Sequence, residues 1–237
     1  MKGHPLAQAG MYTSYLQDTG TGPIPASYGY ATLHISKTGA AMLSGKLPDG
    51  SGFTASSNVV AEGTSAYIVI LNDQSLYNRK GGLTGYFEFS PLGFGGIFAW
   101  EKPLTKGPYY PTAFNTLVGI EGFPYSKTIG NTLTSGTIEF LGGMLAGSGT
   151  SAGFTFSNKR YVFNPPNPLN VKLAINAATG AVKGSFDFPQ TASSSSHPLV
   201  KYSGLLLQDG TTAVAIGHFR SPIVSGSGTL GIFEAIP

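Results

Sequence analysis

Apolar and polar residues alternate along most of this chain, in short runs separated by glycine, proline and Asp-Gly pairs. Such alternation is typical of β-strands with one buried face, and the separating residues favour tight turns. No segment shows a sustained helical period. The pattern therefore predicts an all-β chain of short strands.

Part of the pattern occurs twice along the chain. Leu33–Leu47 matches Leu173–Phe186, and further along the chain Gly96–Pro103 matches Gly231–Pro237. The sequence distance between the two copies is similar in both cases. Ordered matches of this kind indicate a duplicated unit. We expect a single all-β domain over residues 1–237, with repeat halves at approximately 10–103 and 112–237. The proline-rich segment Lys102–Pro111 would link them.

Short antiparallel strands usually close into a barrel or stack as a sandwich, because open sheet edges invite aggregation. The predicted fold is an antiparallel β-barrel of about 10–14 strands, built from two repeated halves with pseudo-two-fold symmetry. A β-sandwich is the alternative.

The composition narrows the possible functions. Charged residues make up only 11% of the chain, and the net charge of +3 comes from scattered lysines and arginines. Without a basic tract, we expect no nucleic-acid partner. The absence of cysteine excludes disulfides and thiolate metal sites. No apolar run is long enough for a membrane helix, and the short strands make an outer-membrane barrel an unlikely alternative.

A series of glycine and aromatic landmarks resembles a known module. The landmarks are Gly10-Met-Tyr12, Gly29–Leu33, Thr38-Gly39, Leu43–Leu47, Asp49-Gly50, Gly81–Gly85 and Gly95–Pro103. Together they resemble a β-rich module found at the C-termini of exported surface proteins of bacteria such as Verrucomicrobia and Planctomycetes. The resemblance implies export, a barrel-like body and an accessory or surface role. It implies no catalytic residues.

The start of the sequence bears on location. Leu6-Ala-Gln-Ala9 has the A-x-A pattern of a signal-peptide cleavage site, but the apolar region that should precede it is missing. Either a leader was trimmed or the pattern arose by chance. We expect an extracellular or periplasmic protein.

Three motifs suggest catalysis but lack the required context. Ser151 lies in a G-x-S-x-G sequence, but the residues after it predict a strand where a nucleophile elbow needs a helix. Gly226–Gly231 matches G-x-G-x-x-G too close to the end of the sequence for a dinucleotide fold. Asp18-Thr-Gly20 resembles an aspartic-protease motif without its second copy.

The remaining candidates are aromatic residues and turn carboxylates. Trp100, Tyr109 and Tyr110 flank the linker and could stack on a small molecule or carbohydrate. Asp49 and Asp209 lie in predicted turns and could hold Ca²⁺ as a cofactor, although turn aspartates more often bond to the backbone. We expect an extracellular β-barrel module with a ligand-binding or structural accessory role. The alternative is a Ca²⁺-assisted hydrolase of a small ester or lactone.

Overall fold

A computed structural model describes residues 6–19, 27–62, 65–70, 75–127, 133–145, 150–189, 198–210, 212–223 and 230–237. These residues form sixteen β-strands and one short 3-10 turn, Leu76–Asn78. The strands of the first part are β1 Gly10–Asp18, β2 Gly29–Ile35, β3 Ala40–Lys46, β4 Gly52–Glu62, β5 Ser65–Ile70, β6 Gly82–Ser90, β7 Gly93–Lys102 and β8 Phe114–Pro124. Those of the second are β9 Ser135–Gly142, β10 Thr150–Ser157, β11 Arg160–Phe163, β12 Lys172–Asn176, β13 Ala181–Asp187, β14 Leu199–Asp209, β15 Thr212–Arg220 and β16 Leu230–Ile236.

The first eight strands form a closed antiparallel barrel. Each strand pairs with the next along the chain, and β8 returns to pair with β1. Closure removes the free edges, which is how all-β proteins avoid edge-to-edge association. The all-β antiparallel barrel predicted from the sequence is thereby confirmed, but the closed barrel has eight strands where 10–14 were predicted, and eight further strands form a second sheet.

The other eight strands form a second antiparallel sheet in the order β11-β10-β9-β16-β15-β14-β13-β12. β9 and β16, the first and last strands of this part, pair with each other, just as β1 and β8 pair in the barrel. No hydrogen-bonded ladder joins the described residues of β11 and β12, so these two short strands are the edges of the sheet.

Aromatic and aliphatic side chains fill the interior of each part. Within the barrel, Phe87 and Phe94 have ring centroids 4.5 Å apart. In the second sheet, Phe140 and Phe186 are 4.3 Å apart. Each of these four residues occupies an inward-facing position on its strand and lies in one of the two buried clusters. The alternation seen in the sequence therefore corresponds to two separate filled cores.

The repeated segments are both β-hairpins. Leu33–Leu47 contains β2 and β3, and Leu173–Phe186 contains β12 and β13. Gly39 and Gly180 close the two turns with φ values of 92° and 70°, which glycine adopts without the cost that a Cβ atom imposes. However, the two hairpins do not occupy equivalent places. β2 and β3 are the second and third strands of the first part, whereas β12 and β13 are the fourth and fifth strands of the second. Duplication with two-fold symmetry therefore stays a prediction.

The boundary between the two sheets lies after β8 and not at the proline-rich linker, because β8 belongs to the first barrel and closes it. That residues 112–237 form the second of two repeat halves stays a prediction. The proline-rich linker thus connects β7 and β8 within one barrel. Local composition marked a loop correctly but could not show which sheet the next strand would join.

Candidate functional site

A cleft of about 750 Å³ lies where the β2–β3 hairpin of the barrel meets the outer face of β13, β14 and β15. Its volume falls within the range of roughly 300–1,000 Å³ that is usual for small-molecule sites. Lys46 borders it from the barrel, and Tyr109 borders it from the β7–β8 linker. We call this region the cationic cleft.

Sheet register places the polar residues of the cleft in rows. Lys183 of β13 is opposite Ser203 of β14, which is opposite His218 of β15. Paired residues point to the same face of a sheet. Lys201 lies two positions before Ser203 and therefore shares this face. The intervening Tyr202 points into the core.

The cleft concentrates positive charge. Lys46, Lys183, Lys201 and Arg220 all line it, and none of its described lining residues carries a carboxylate. Lys183, Lys201 and Arg220 are exposed, whereas Lys46 is partly buried. Four cations facing one space, with no carboxylate among the described lining residues, favour an anionic ligand.

Lys46 is held close to the other three cations of the cleft by a hydrogen bond. Its Nζ donates to the Ser203 hydroxyl at 3.4 Å. Burial lowers the pKa of Lys46, and the charges of Arg220 and Lys183 lower it further. An anion in the cleft would offset both effects, because it would stabilise the protonated amine.

His218 forms the floor of the cleft and is only 4% exposed. Its Nδ1–H donates to the Tyr28 carbonyl at 2.8 Å, and its ring packs 5.5 Å from the Tyr30 ring. Burial lowers the pKa of His218 to about 4, and nearby Lys46 and Arg220 add to the effect. The imidazole is therefore neutral at physiological pH.

Tyr109 is the one predicted ligand-binding residue that the structure places on the cleft. Its hydroxyl donates to the Ser221 carbonyl at 2.6 Å. The Arg220 guanidinium lies 5.2 Å from the centre of its ring, a cation–π contact that orients the guanidinium.

Trp100 lies away from the cleft, in the barrel core. It is 1% exposed, packs edge-on against Phe114, and donates its indole N–H to the Tyr77 hydroxyl at 3.1 Å. The Tyr77 hydroxyl in turn donates to Asp49 at 2.7 Å. A residue buried in this way is not accessible for stacking on a ligand, so the proposed ligand-binding role of Trp100 is wrong.

The predicted metal ligands lie far apart. Asp49 is buried and accepts hydrogen bonds from Ser51 and Tyr77, which is the turn-stabilising role. Gly50, next to it, lies against Arg220 at the end of β15. Asp209 pairs with Thr212 at the start of β15. One ion therefore cannot bind both carboxylates.

The other candidate ligand-binding and catalytic residues do not line the cleft. Tyr110, like Tyr109, belongs to the linker, but it does not line the cleft, and burial raises its pKa. Ser151 is the second residue of β10, pairs with Glu139 of β9 and is followed by strand, which rules out the strand-to-helix elbow. Residues 226–229 and the Asp18 side chain lie outside the part of the chain that the structure describes.

In the part of the chain that the structure describes, no three His, Cys, Asp or Glu side chains group in a way that could hold a metal ion. No helix in that part of the chain is long and apolar enough to span a membrane.

Comparison with known protein families, curated proteins and solved structures found no match to this chain. The function is therefore argued from the geometry of the site alone.

Sequence analysis missed the lysines of the cleft. Lys183 and Lys201 alternate with buried residues, so their outward orientation could have been inferred. Their convergence with Lys46 could not be inferred, because Lys46 and Lys183 are 137 positions apart in the chain. Only the packing of one sheet on the other brings them together.

Proposed function

We propose that this protein is a non-catalytic binding module whose cationic cleft takes a ligand bearing sulfate, phosphate or carboxylate groups. The observation that carries the proposal is the convergence of Lys46, Lys183, Lys201 and Arg220 on a cleft whose described lining has no carboxylate. Charge-assisted hydrogen bonds from such groups to oxyanions are short and stronger than neutral ones.

Features of the cleft favour recognition of an oxyanion group. Arg220 presents a planar guanidinium fixed against Tyr109, which suits two-point contact with an oxyanion. Ser203 lies between Lys183 and His218 and already contacts Lys46 and Tyr30. This arrangement orders the cleft before any ligand binds, and preorganisation reduces the entropy cost of binding.

The Ca²⁺-assisted hydrolase is the second possibility, and no observed grouping of residues favours it. It stays a prediction, as do the exported location and the resemblance to bacterial surface modules. The cationic cleft fits an accessory role outside the cell, where acidic polysaccharides are available ligands.

The test uses three anionic probes: tripolyphosphate, dextran sulfate and polygalacturonate. Neutral dextran is the uncharged comparison. Binding should be measured by calorimetry at about 0.15 M salt, where long-range charge effects are largely screened. We expect at least one anionic probe to bind and neutral dextran not to compete with it.

The matched variants separate the cleft from net charge. Lys183→Gln with Lys201→Gln removes two exposed cleft charges, and we expect affinity to fall about tenfold or more. Lys37→Gln with Lys159→Gln removes two exposed charges elsewhere and should leave affinity nearly unchanged. Equal losses in both double variants, or no binding of any anionic probe, would refute the proposal.

A further inference from the structure

The outer face of the closed barrel carries a second recess, of about 580 Å³, with a different chemistry. It lies over β7, β8 and β1, and Asp209 reaches it from the β14–β15 turn of the other sheet. Asp209 ends β14 and pairs with Thr212 at the start of β15, whereas Arg220 is the last residue of β15, so the recess and the cationic cleft are separate sites.

Strand register shows why the surface is recessed here. Glu121 of β8 lies between Gly95 of β7 and Tyr15 of β1. In the next outward-facing row, Gly119 of β8 is opposite Gln17 of β1. Two of these neighbouring outward positions therefore carry no side chain, and the backbone forms the floor. We call this region the glycine recess.

The fold does not require Gly95 or Gly119. A Cβ atom at Gly95 would come no closer than 3.9 Å to another atom, and one at Gly119 no closer than 3.7 Å. Neither residue has the positive φ that demands glycine. By contrast, a Cβ at Gly96 would lie 2.2 Å from the Tyr86 carbonyl oxygen.

Glycine inside a strand lowers stability relative to alanine. A strand glycine without a packing reason is one mark of a surface that a ligand approaches closely. Two such glycines lie at adjacent positions of the same recess, which points to a ligand seated on the backbone.

The polar groups around the floor define the ligand. Glu121 and Asp209 supply carboxylates, Gln17 supplies an amide, and the Tyr15 hydroxyl donates to the Glu121 carboxylate. Two carboxylates repel anions but accept strong hydrogen bonds from hydroxyl groups. Leu92, which is 75% exposed, and the Tyr15 ring add apolar surface beside them.

We propose that the glycine recess binds an uncharged pyranose unit of a polysaccharide. The sugar ring lies on the backbone at Gly95 and Gly119, its hydroxyls donate to Glu121 and Asp209, and its C–H surface packs on Tyr15 and Leu92. This site goes beyond the proposed anion-binding function, because it recognises an uncharged ligand through acidic side chains.

The experiment is calorimetric titration with five neutral hexasaccharides: maltohexaose, cellohexaose, mannohexaose, xylohexaose and β-galactohexaose. We expect at least one to bind with a Kd below about 5 mM. Gly95→Val fills the recess and should weaken that binding about tenfold or more. Ala99→Val adds a valine to the same outer face of β7, outside the recess, and should bind like the parent.

Stability measurements keep the result interpretable. Because the space above Gly95 is open and valine favours strands, Gly95→Val should melt at or above the parent temperature. Glu121→Gln, which keeps the shape of the side chain, should weaken sugar binding too. The lysine variants of the cationic cleft should not affect it, which separates failure here from failure of the proposed function.

Three outcomes would overturn the inference. The first is the absence of binding to all five hexasaccharides. The second is equal binding by Gly95→Val and Ala99→Val. The third is a marked loss of stability in Gly95→Val, because glycine would then be required by packing and would say nothing about a ligand.

Discussion

At the scale of the residue, His218 makes a pH-dependent contribution to stability. Its pKa is about 4 in the folded protein, below the ordinary 6.5, so the unfolded chain binds more protons between these values. Stability therefore rises with pH across this window, by about 3 kcal/mol. We expect His218→Asn to flatten urea-unfolding free energies between pH 4 and 6.5, while His34→Asn, at an exposed position, retains the slope. An unchanged slope in His218→Asn would contradict this assignment.

At the scale of the element, the β12–β13 turn requires glycine for two reasons. Gly180 has a φ of 70°, and a Cβ there would lie 2.8 Å from the Tyr125 ring. The Tyr125 ring is held in place by a hydrogen bond that its hydroxyl donates to the Ala177 carbonyl at 2.7 Å. Gly210 has a similar φ of 61° but open space around it. We expect Gly180→Ala to lower the unfolding free energy by about 1–3 kcal/mol more than Gly210→Ala, measured by urea denaturation. Equal losses would show that the Tyr125 ring moves freely.

At the scale of the whole molecule, the second sheet covers the outer face of β1 at Thr13. Thr13 faces outward from the barrel yet is fully buried, and its hydroxyl has no hydrogen-bond partner among the described residues. Burying an unpaired hydroxyl costs about 1–3 kcal/mol. Thr13→Val should therefore raise the unfolding free energy by about 1 kcal/mol, while Thr84→Val, at an exposed position of β6, should change it little. A destabilised Thr13→Val would mean that the hydroxyl is satisfied.

Much of the fold was predictable from local sequence. Alternation predicted the strands, and Thr38-Gly39 and Thr179-Gly180 predicted hairpin turns. Trp100 is buried and its N–H has a partner, which is the usual environment of a large apolar side chain with one polar atom. Local sequence does not predict β11, because its four residues are too few for an alternating pattern to stand out. These successes depend on interactions between near neighbours, which the order of residues specifies directly.

The sequence by itself therefore determined the all-β class and the tight turns, since both follow from side-chain period and backbone preference, but it left open whether the barrel is filled or hollow. Only the tertiary structure decided that β8 closes the first barrel and that Lys46 faces Lys183. It also decided that Gly95 and Gly119 adjoin one recess. The physical reason is that strand pairing and sheet packing join residues far apart in the chain. Alternation fixes which face a side chain occupies, but not what that face meets.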